Sequence, residues 1–443
     1  MMAAGVKNLV FKNGAKMPIV GFGTWQCSDE SMDASIDAAL EAGYRHIDTA
    51  YLYGNEAAIG RALKRWFDSG RLKREDLFIV TKLPIVGYQP DKVEKYLKRS
   101  LSALQLKYVD LYLVHQPWGL IETGENMCPM DESGNLLHDI TIDHVALWKA
   151  MEAQVDAGRT LNIGLSNFNS RQIKRVFLSA RIPPSNLQVE LHVYFQQREL
   201  VAFCAALDIT VCAYAPLASP AMIPAFAPLG GDVDSIPRLS PLTEPVVVKI
   251  AEKHGKTSAQ VLLRHIVQRG ISVIPKSSNP DRIRQNIQVN IRYRQSQGWV
   301  EQPVLGEVRS SPLAFVHAVD SYPNKRCVKS ETVVLATCTW GGSFVSASVR
   351  SCRCMVTFIH GSYIFDFKLD DEDVKQLDAL DRGSQCRLFS GNIHKGDRAH
   401  GVVAIAVCYE PKSLGIRFQA VTLGISPGRG VTPNYHQGLV DWA

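Results

Sequence analysis

No stretch of this 443-residue chain approaches the ~18 consecutive apolar residues that a membrane-crossing helix requires. The amino terminus, MMAAGVKNLVFKNG, also lacks the continuous apolar centre of a signal peptide. A cytoplasmic protein with no membrane partner is the expectation. Cysteine occurs ten times but with no framework spacing, and Cys352 and Cys354 stand too close for a CxxC pair. Reduced structural thiols are therefore expected, with neither a disulfide scaffold nor a metal site. Long blocks of one charge are missing too. Lys and Arg number 49 against 43 Asp and Glu, a formal +6 that is spread along the chain and gives no reason to expect nucleic acid as a partner. The glycine-rich dinucleotide fingerprint is incomplete: Gly21-Phe22-Gly23 is followed by Gln26 where the third glycine belongs. That excludes an open dinucleotide-binding sheet.

What is present is an ordinary globular balance, 46% hydrophobic and 21% charged, with ample material for a core. Asn8 to Met17 reads as a short hairpin turning at Asn13-Gly14. Eight strand-like runs then recur as PIVGFG, YRHID, LFIVT, VDLYLV, NIGLS, LQVE, ITVCAYA and ISVIP. The pattern predicts helices over 32–42, 56–67, 91–104, 144–157, 171–179, 197–206, 258–268 and 280–288. Alternating buried strands and amphipathic helices argue for a parallel sheet, and eight repeats fit closure into a (β/α)8 TIM barrel. Two long connections, roughly 116–143 and 215–245, are expected to hang over one mouth of it.

In such a barrel, chemistry gathers at the carboxyl ends of the strands. Read there, the chain offers Trp25, Asp48, Lys82, His115, Ser166 with Asn167, Gln188, Tyr214 and Lys276. Tyr53 follows Asp48 by five residues. Singly, these residues read equally well as helix caps, half-buried packing or solvated charges. Together, a phenol, an ammonium, a carboxylate and an imidazole are what carbonyl reduction by hydride requires. A phenol, with an ordinary pKa of about 10, is a sluggish acid at neutral pH. A nearby ammonium is expected to lower that pKa, a carboxylate to keep the ammonium charged, and an imidazole to orient the carbonyl.

The segments GYRHIDTAYLYGNEAAIG, FIVTKL, DLYLVHQP, IGLSNF, LQVELH and VIPKS with PDRIRQN occur in that order. They closely resemble the aldo-keto reductase family, from residue 7 to 289 and again from Phe365 to about His400. The resemblance implies a soluble, monomeric, NADPH-dependent (β/α)8 enzyme reducing a small aldehyde or ketone to an alcohol. By the same resemblance Tyr53 is the general acid, Lys82 lowers its pKa, Asp48 pairs with the lysine and His115 orients the substrate. Lys276, Ser277, Asn279, Arg282, Gln285 and Asn286 would hold the adenosine 2′-phosphate and adenine, although many members have Glu where Gln285 stands. Ser166, Asn167 and Gln188 would hold the nicotinamide carboxamide, and Tyr214 would stack on its ring. Thr24, Trp25, Leu217 and Ser219 complete the expected cofactor contacts, and Trp25, Tyr53 and His115 the substrate contacts. Pro84, Gln116 and Val193 depart from familiar pocket residues, which leaves the substrate open. A non-catalytic cofactor-binding barrel and an unstable inactive isoform stand as the other readings.

Two segments do not follow the family pattern. The 75 residues from Asn290 to Ile364 carry scattered Ser, Arg and Cys without helical periodicity or a domain pattern. Removing them joins PDRIRQNIQV to FDFKLDDEDVKQLDALDRG, as in relatives. After residue 400 the chain runs on for 43 unfamiliar residues. The expected organisation is a barrel over 1–289, an insertion over 290–364, a family-like helix and loop over 365–400, and a tail over 401–443. Both unfamiliar segments read as translated non-coding sequence, with a genuine lineage-specific insertion as the alternative.

Overall fold

The computed structural model describes residues 8–132, 135–219, 237–288 and 367–388, together with two short strands at 334–337 and 355–358. Eight parallel strands form one sheet: β3 (Phe22–Gly23), β4 (His46–Asp48), β5 (Phe78–Leu83), β6 (Leu111–Val114), β7 (Ile163–Ser166), β8 (Asn186–Glu190), β9 (Thr210–Tyr214) and β10 (Ser272–Val273), each beside its sequence neighbour. The ends of the sheet then meet. Val20 bridges Val273 in parallel, and Gly21 N donates to Val273 O at 2.8 Å while Val273 N donates to Ile19 O at 2.9 Å. The result is the (β/α)8 barrel that the eight repeats predicted. Its strands read as near-continuous apolar runs because both faces are covered; all six residues of β5 are buried.

The hairpin is β1 (Asn8–Val10) against β2 (Lys16–Pro18), and Gly14 takes the left-handed φ of 85° that its turn demands. Phe11 and Met17 from it pack on Phe78, Val80, Leu111 and Leu113 near the strand starts. Around the barrel stand α1 (Asp29–Ala42), α2 (Glu56–Asp68), α3 (Val93–Leu104), α4 (His144–Asp156), α5 (Ser170–Ser179), α6 (Arg198–Ala206), α7 (Pro245–His254), α8 (Ser258–Gln268) and α9 (Pro280–Ile287). Sequence periodicity missed α7, whose apolar run PVVV begins where a long connection was expected to end. Helices α2 and α3 pack closely enough that a Cβ at Gly60 would overlap the Ala103 carbonyl oxygen. Among the described residues no helix is long and apolar enough to cross a membrane, and no cluster of three or more metal-ligating side chains occurs.

By compactness the chain divides into one unit of Met1–Val289 with the residues from Phe367 onward, and a second of Asn290–Asp366. In the first, α10 (Asp371–Asp378) starts at an Asp370 cap that accepts from Asp373 N. Leu369, Leu377 and Cys386 join Val193, Tyr194, Val247 and Ile250 in one apolar cluster. His265 Nε2 lies 2.8 Å from Asp378 and His254 Nε2 lies 2.7 Å from Asp373. Gln268 exchanges two hydrogen bonds with the backbone of Leu369. In the second unit, β11 (Val334–Thr337) pairs antiparallel with β12 (Met355–Phe358). Residues 389–443, with the expected carboxyl-terminal loop and tail, lie outside the described residues.

Candidate active site

Asp48 at the end of β4, Lys82 one residue before the end of β5 and Gln188 midway along β8 meet at one point. Lys82 is fully buried, and its Nζ donates to Asp48 Oδ1 at 2.6 Å, to Thr49 O at 2.9 Å and to Tyr53 Oη at 3.3 Å. Gln188 Nε2 donates to the other carboxylate oxygen, Oδ2, at 2.7 Å. Three donor hydrogens of one ammonium are thus spent on three acceptors. Tyr53 is held over this pair by a single 3-10 turn, Tyr51–Tyr53, closed by Gly54 in the left-handed region at φ 68°. The ring of His115, just past β6, meets the Tyr53 ring edge to face with centroids 5.8 Å apart.

Electrostatics follow from burial. Desolvation alone would discharge Lys82, but the Asp48 carboxylate and the Tyr53 hydroxyl more than offset it, and the ammonium is held above its usual pKa. His115 is pushed well below the usual imidazole range by burial and then by the Lys82 charge, so it is neutral at physiological pH. Lys82 does pull the Tyr53 phenol down, but desolvation pushes harder and Asp48 adds to it, so the net direction is up. The ammonium therefore limits the rise and does not reverse it.

The second group of expected residues lies beside the first. Tyr214 Oη donates to Asn167 Oδ1 at 2.9 Å, and Asn167 Nδ2 reaches Ser166 Oγ at 3.2 Å and His115 O at 2.9 Å. Thr24 is buried, donating to Asp48 O at 2.9 Å. Leu217 packs against the cluster that receives α10. Non-glycine residues with left-handed backbone concentrate here: Gln26 at 59°, Asn167 at 67°, Ala215 at 48°, Ala218 at 55° and Ser219 at 37°. Such positions cost on the order of 1–3 kcal/mol each and gather where a binding surface must be shaped.

The third group is at the start of α9. Asn279 caps the helix, accepting from Asp281 N and Arg282 N at 3.0 Å, and Ser277 Oγ accepts from Asn279 N at 3.1 Å. Lys276 is exposed and donates to Gln26 O at 2.9 Å. Burial of its stem, with Arg282 nearby, draws its pKa down. Arg282 and Gln285 are exposed, and Asn286 is buried. Sequence reading passed over Thr49, Asn55, Glu56 and Thr81, which brace the first group. Glu56 looked like an ordinary acidic helix start, and nothing in its spacing marks it as buried.

Residues 19–297 match the aldo/keto reductase family. The chain belongs to that family. Curated relatives include aldo-keto reductase family 1 member A1 of Mus musculus, 46% identical over 283 residues that cover 64% of this chain and 84% of the relative. The protein of the same name in Homo sapiens is 44% identical over 282 residues, covering 63% and 83%. Among solved structures, the aldose reductase of Schistosoma japonicum superposes with a TM-score of 0.61 at 33% identity, covering 85% of this chain and 93% of that one. Family membership makes the chain an oxidoreductase.

Proposed function

We propose that the chain reduces an aldehyde or ketone to an alcohol at the expense of NADPH, with Tyr53 as proton donor. The observation that carries this reading is the continuous hydrogen-bonded run Gln188–Asp48–Lys82–Tyr53, with a neutral His115 against the phenol. Tyr53 Oη gives its proton to the carbonyl oxygen as negative charge develops there, and Lys82 stabilises the phenolate left behind. Asp48 and the Thr49 carbonyl keep that ammonium charged and aimed. His115 offers a ring nitrogen to the same oxygen and fixes its approach.

The residues fit a nicotinamide dinucleotide phosphate. The amide and hydroxyl groups of Ser166 and Asn167, at the end of β7, and of Gln188, on β8, lie beside the Tyr214 ring, and Lys276 and Arg282 flank a capped helix start that favours an anion. Bound there, the cofactor would supply the hydride. Trp25, Tyr53 and His115 would line the carbonyl pocket, and a monomer in the cytoplasm suits a small diffusing substrate. The test is loss of NADPH absorbance with a panel of aldehydes and ketones. Activity with at least one member is expected, and none with any of them would overturn the proposal.

A further inference from the structure

Glu56 opens α2 three residues after Tyr53, yet it is only 4% exposed. Its Oε1 accepts a hydrogen bond from Thr81 Oγ1 at 2.5 Å. Thr81 precedes Lys82 on β5, and side chains alternate along a strand. Lys82 therefore reaches Asp48 on one face while Thr81 reaches the helix layer on the other. Asn55, beside Glu56, donates to Thr24 O at 2.9 Å and accepts from Thr49 Oγ1 at 3.1 Å. Two adjacent side chains thus tie down the segments next to Trp25, Asp48 and Lys82.

The groups facing the Glu56 carboxyl come from each packed element. Lys82 and Thr81 lie on β5, and Tyr112 lies on β6 with its hydroxyl buried and unpartnered. The fully buried Ser100 hydroxyl on α3 faces it without meeting hydrogen-bond geometry and favours its charged form. Asp48 stands beyond Lys82.

We propose that Glu56 is a positioning residue for the reduction: its carboxyl fixes Thr81 and through it the Lys82 ammonium, and its ionisation weakens Tyr53 as a proton donor. With Glu56 neutral, Asp48 and Lys82 cancel and the phenol faces a balanced pair. With Glu56 charged, the surroundings carry one net negative charge and the phenolate is harder to form. Burial raises this carboxyl to about 7, against the pull of Thr81, Ser100 and Lys82, so the change falls in the neutral range. The inference rests on Tyr53 as donor.

The experiment is the pH profile of kcat for aldehyde reduction at saturating NADPH, in the wild type, Glu56→Gln and Glu56→Ala. Wild-type kcat should fall severalfold between about pH 6 and about pH 8, and Glu56→Gln should lack that step. Glu56→Ala should lose at least about tenfold in kcat at every pH, with KM for NADPH unmoved, because Thr81 is released. If Glu56→Ala does not fold, Thr81→Val removes the same hydrogen bond at nearly constant shape and should lower kcat likewise. Superimposable profiles of wild type and Glu56→Gln would overturn the inference. If Tyr53→Phe turned over like wild type, the donor assignment itself would fail. Full dependence on Tyr53 with superimposed profiles would sink the Glu56 proposal alone.

Discussion

The two ends of the candidate site are built on opposite terms. Around Lys82 every charge is buried and answered: ammonium, carboxylate, amide and phenol form one closed set. Around Lys276 and Arg282 the cations are exposed, and among the described residues neither meets a carboxylate. The first arrangement suits chemistry, because preorganised charges in a dry site need no reorganisation when a proton moves. The second suits capture, because an anion arriving at a capped helix start completes pairings that the protein has left open. An error at the first end should therefore cost rate, and an error at the second should cost affinity.

The sharpest way to break this contrast is Tyr53→Phe. It keeps the ring and removes the proton, so kcat should fall by about 10²–10⁴-fold while NADPH affinity barely changes. Turnover above half of wild type would dissolve the distinction at its strongest point. Lys82→Met should be nearly as severe, since Tyr53 would lose the ammonium that restrains its rise and Asp48 would be left a buried, unbalanced charge. Persisting activity with an unshifted pH profile would remove Lys82 as the tuning group.

At the other end, Lys276→Met/Arg282→Met should leave kcat nearly intact and weaken NADPH far more than NADH. A charge-assisted hydrogen bond is worth roughly 1.5–3 kcal/mol, so two give a preference of about two orders of magnitude or more. Quenching of tryptophan fluorescence would measure both affinities. Equal wild-type affinity for the two cofactors would remove the phosphate assignment and leave the Tyr53 argument standing.

The barrel was legible because its signals are periodic: eight apolar runs, each followed by an amphipathic helix, leave few alternatives. The four residues around Tyr53 were legible because their types match one reaction and their positions match strand ends. Helix α7 escaped because its first turn, PVVV, reads as a strand or a buried run, and only packing against α8 and α10 decides it. The direction of the Tyr53 shift escaped because it is a contest between burial and a neighbouring charge, and sequence reports the charge without the burial. Glu56 escaped for the same reason. A glutamate at a helix start is ordinarily solvated, and its enclosure depends on β5, β6 and α3 arriving from elsewhere in the chain.

That enclosure yields a distinct readout, in stability instead of rate or affinity. Burial raises the Glu56 carboxyl from the ordinary 4.5 to about 7, so the folded protein holds this proton more tightly than the unfolded chain does. The linked stability is present in full below about pH 4.5 and drains away as pH rises toward about 7, at a total cost of about 3 kcal/mol. Glu56→Gln cannot titrate. Its stability relative to wild type should therefore climb by up to that amount between about pH 5 and about pH 8, whatever constant offset the amide introduces. Urea unfolding of both proteins across this range would show it, since every other titrating group cancels in the difference. The Tyr53 phenol, although raised, stays protonated throughout the window and does not contribute. A difference that stayed flat with pH would mean that Glu56 titrates as an ordinary surface carboxyl. The buried end of the site would then be no drier than the exposed one.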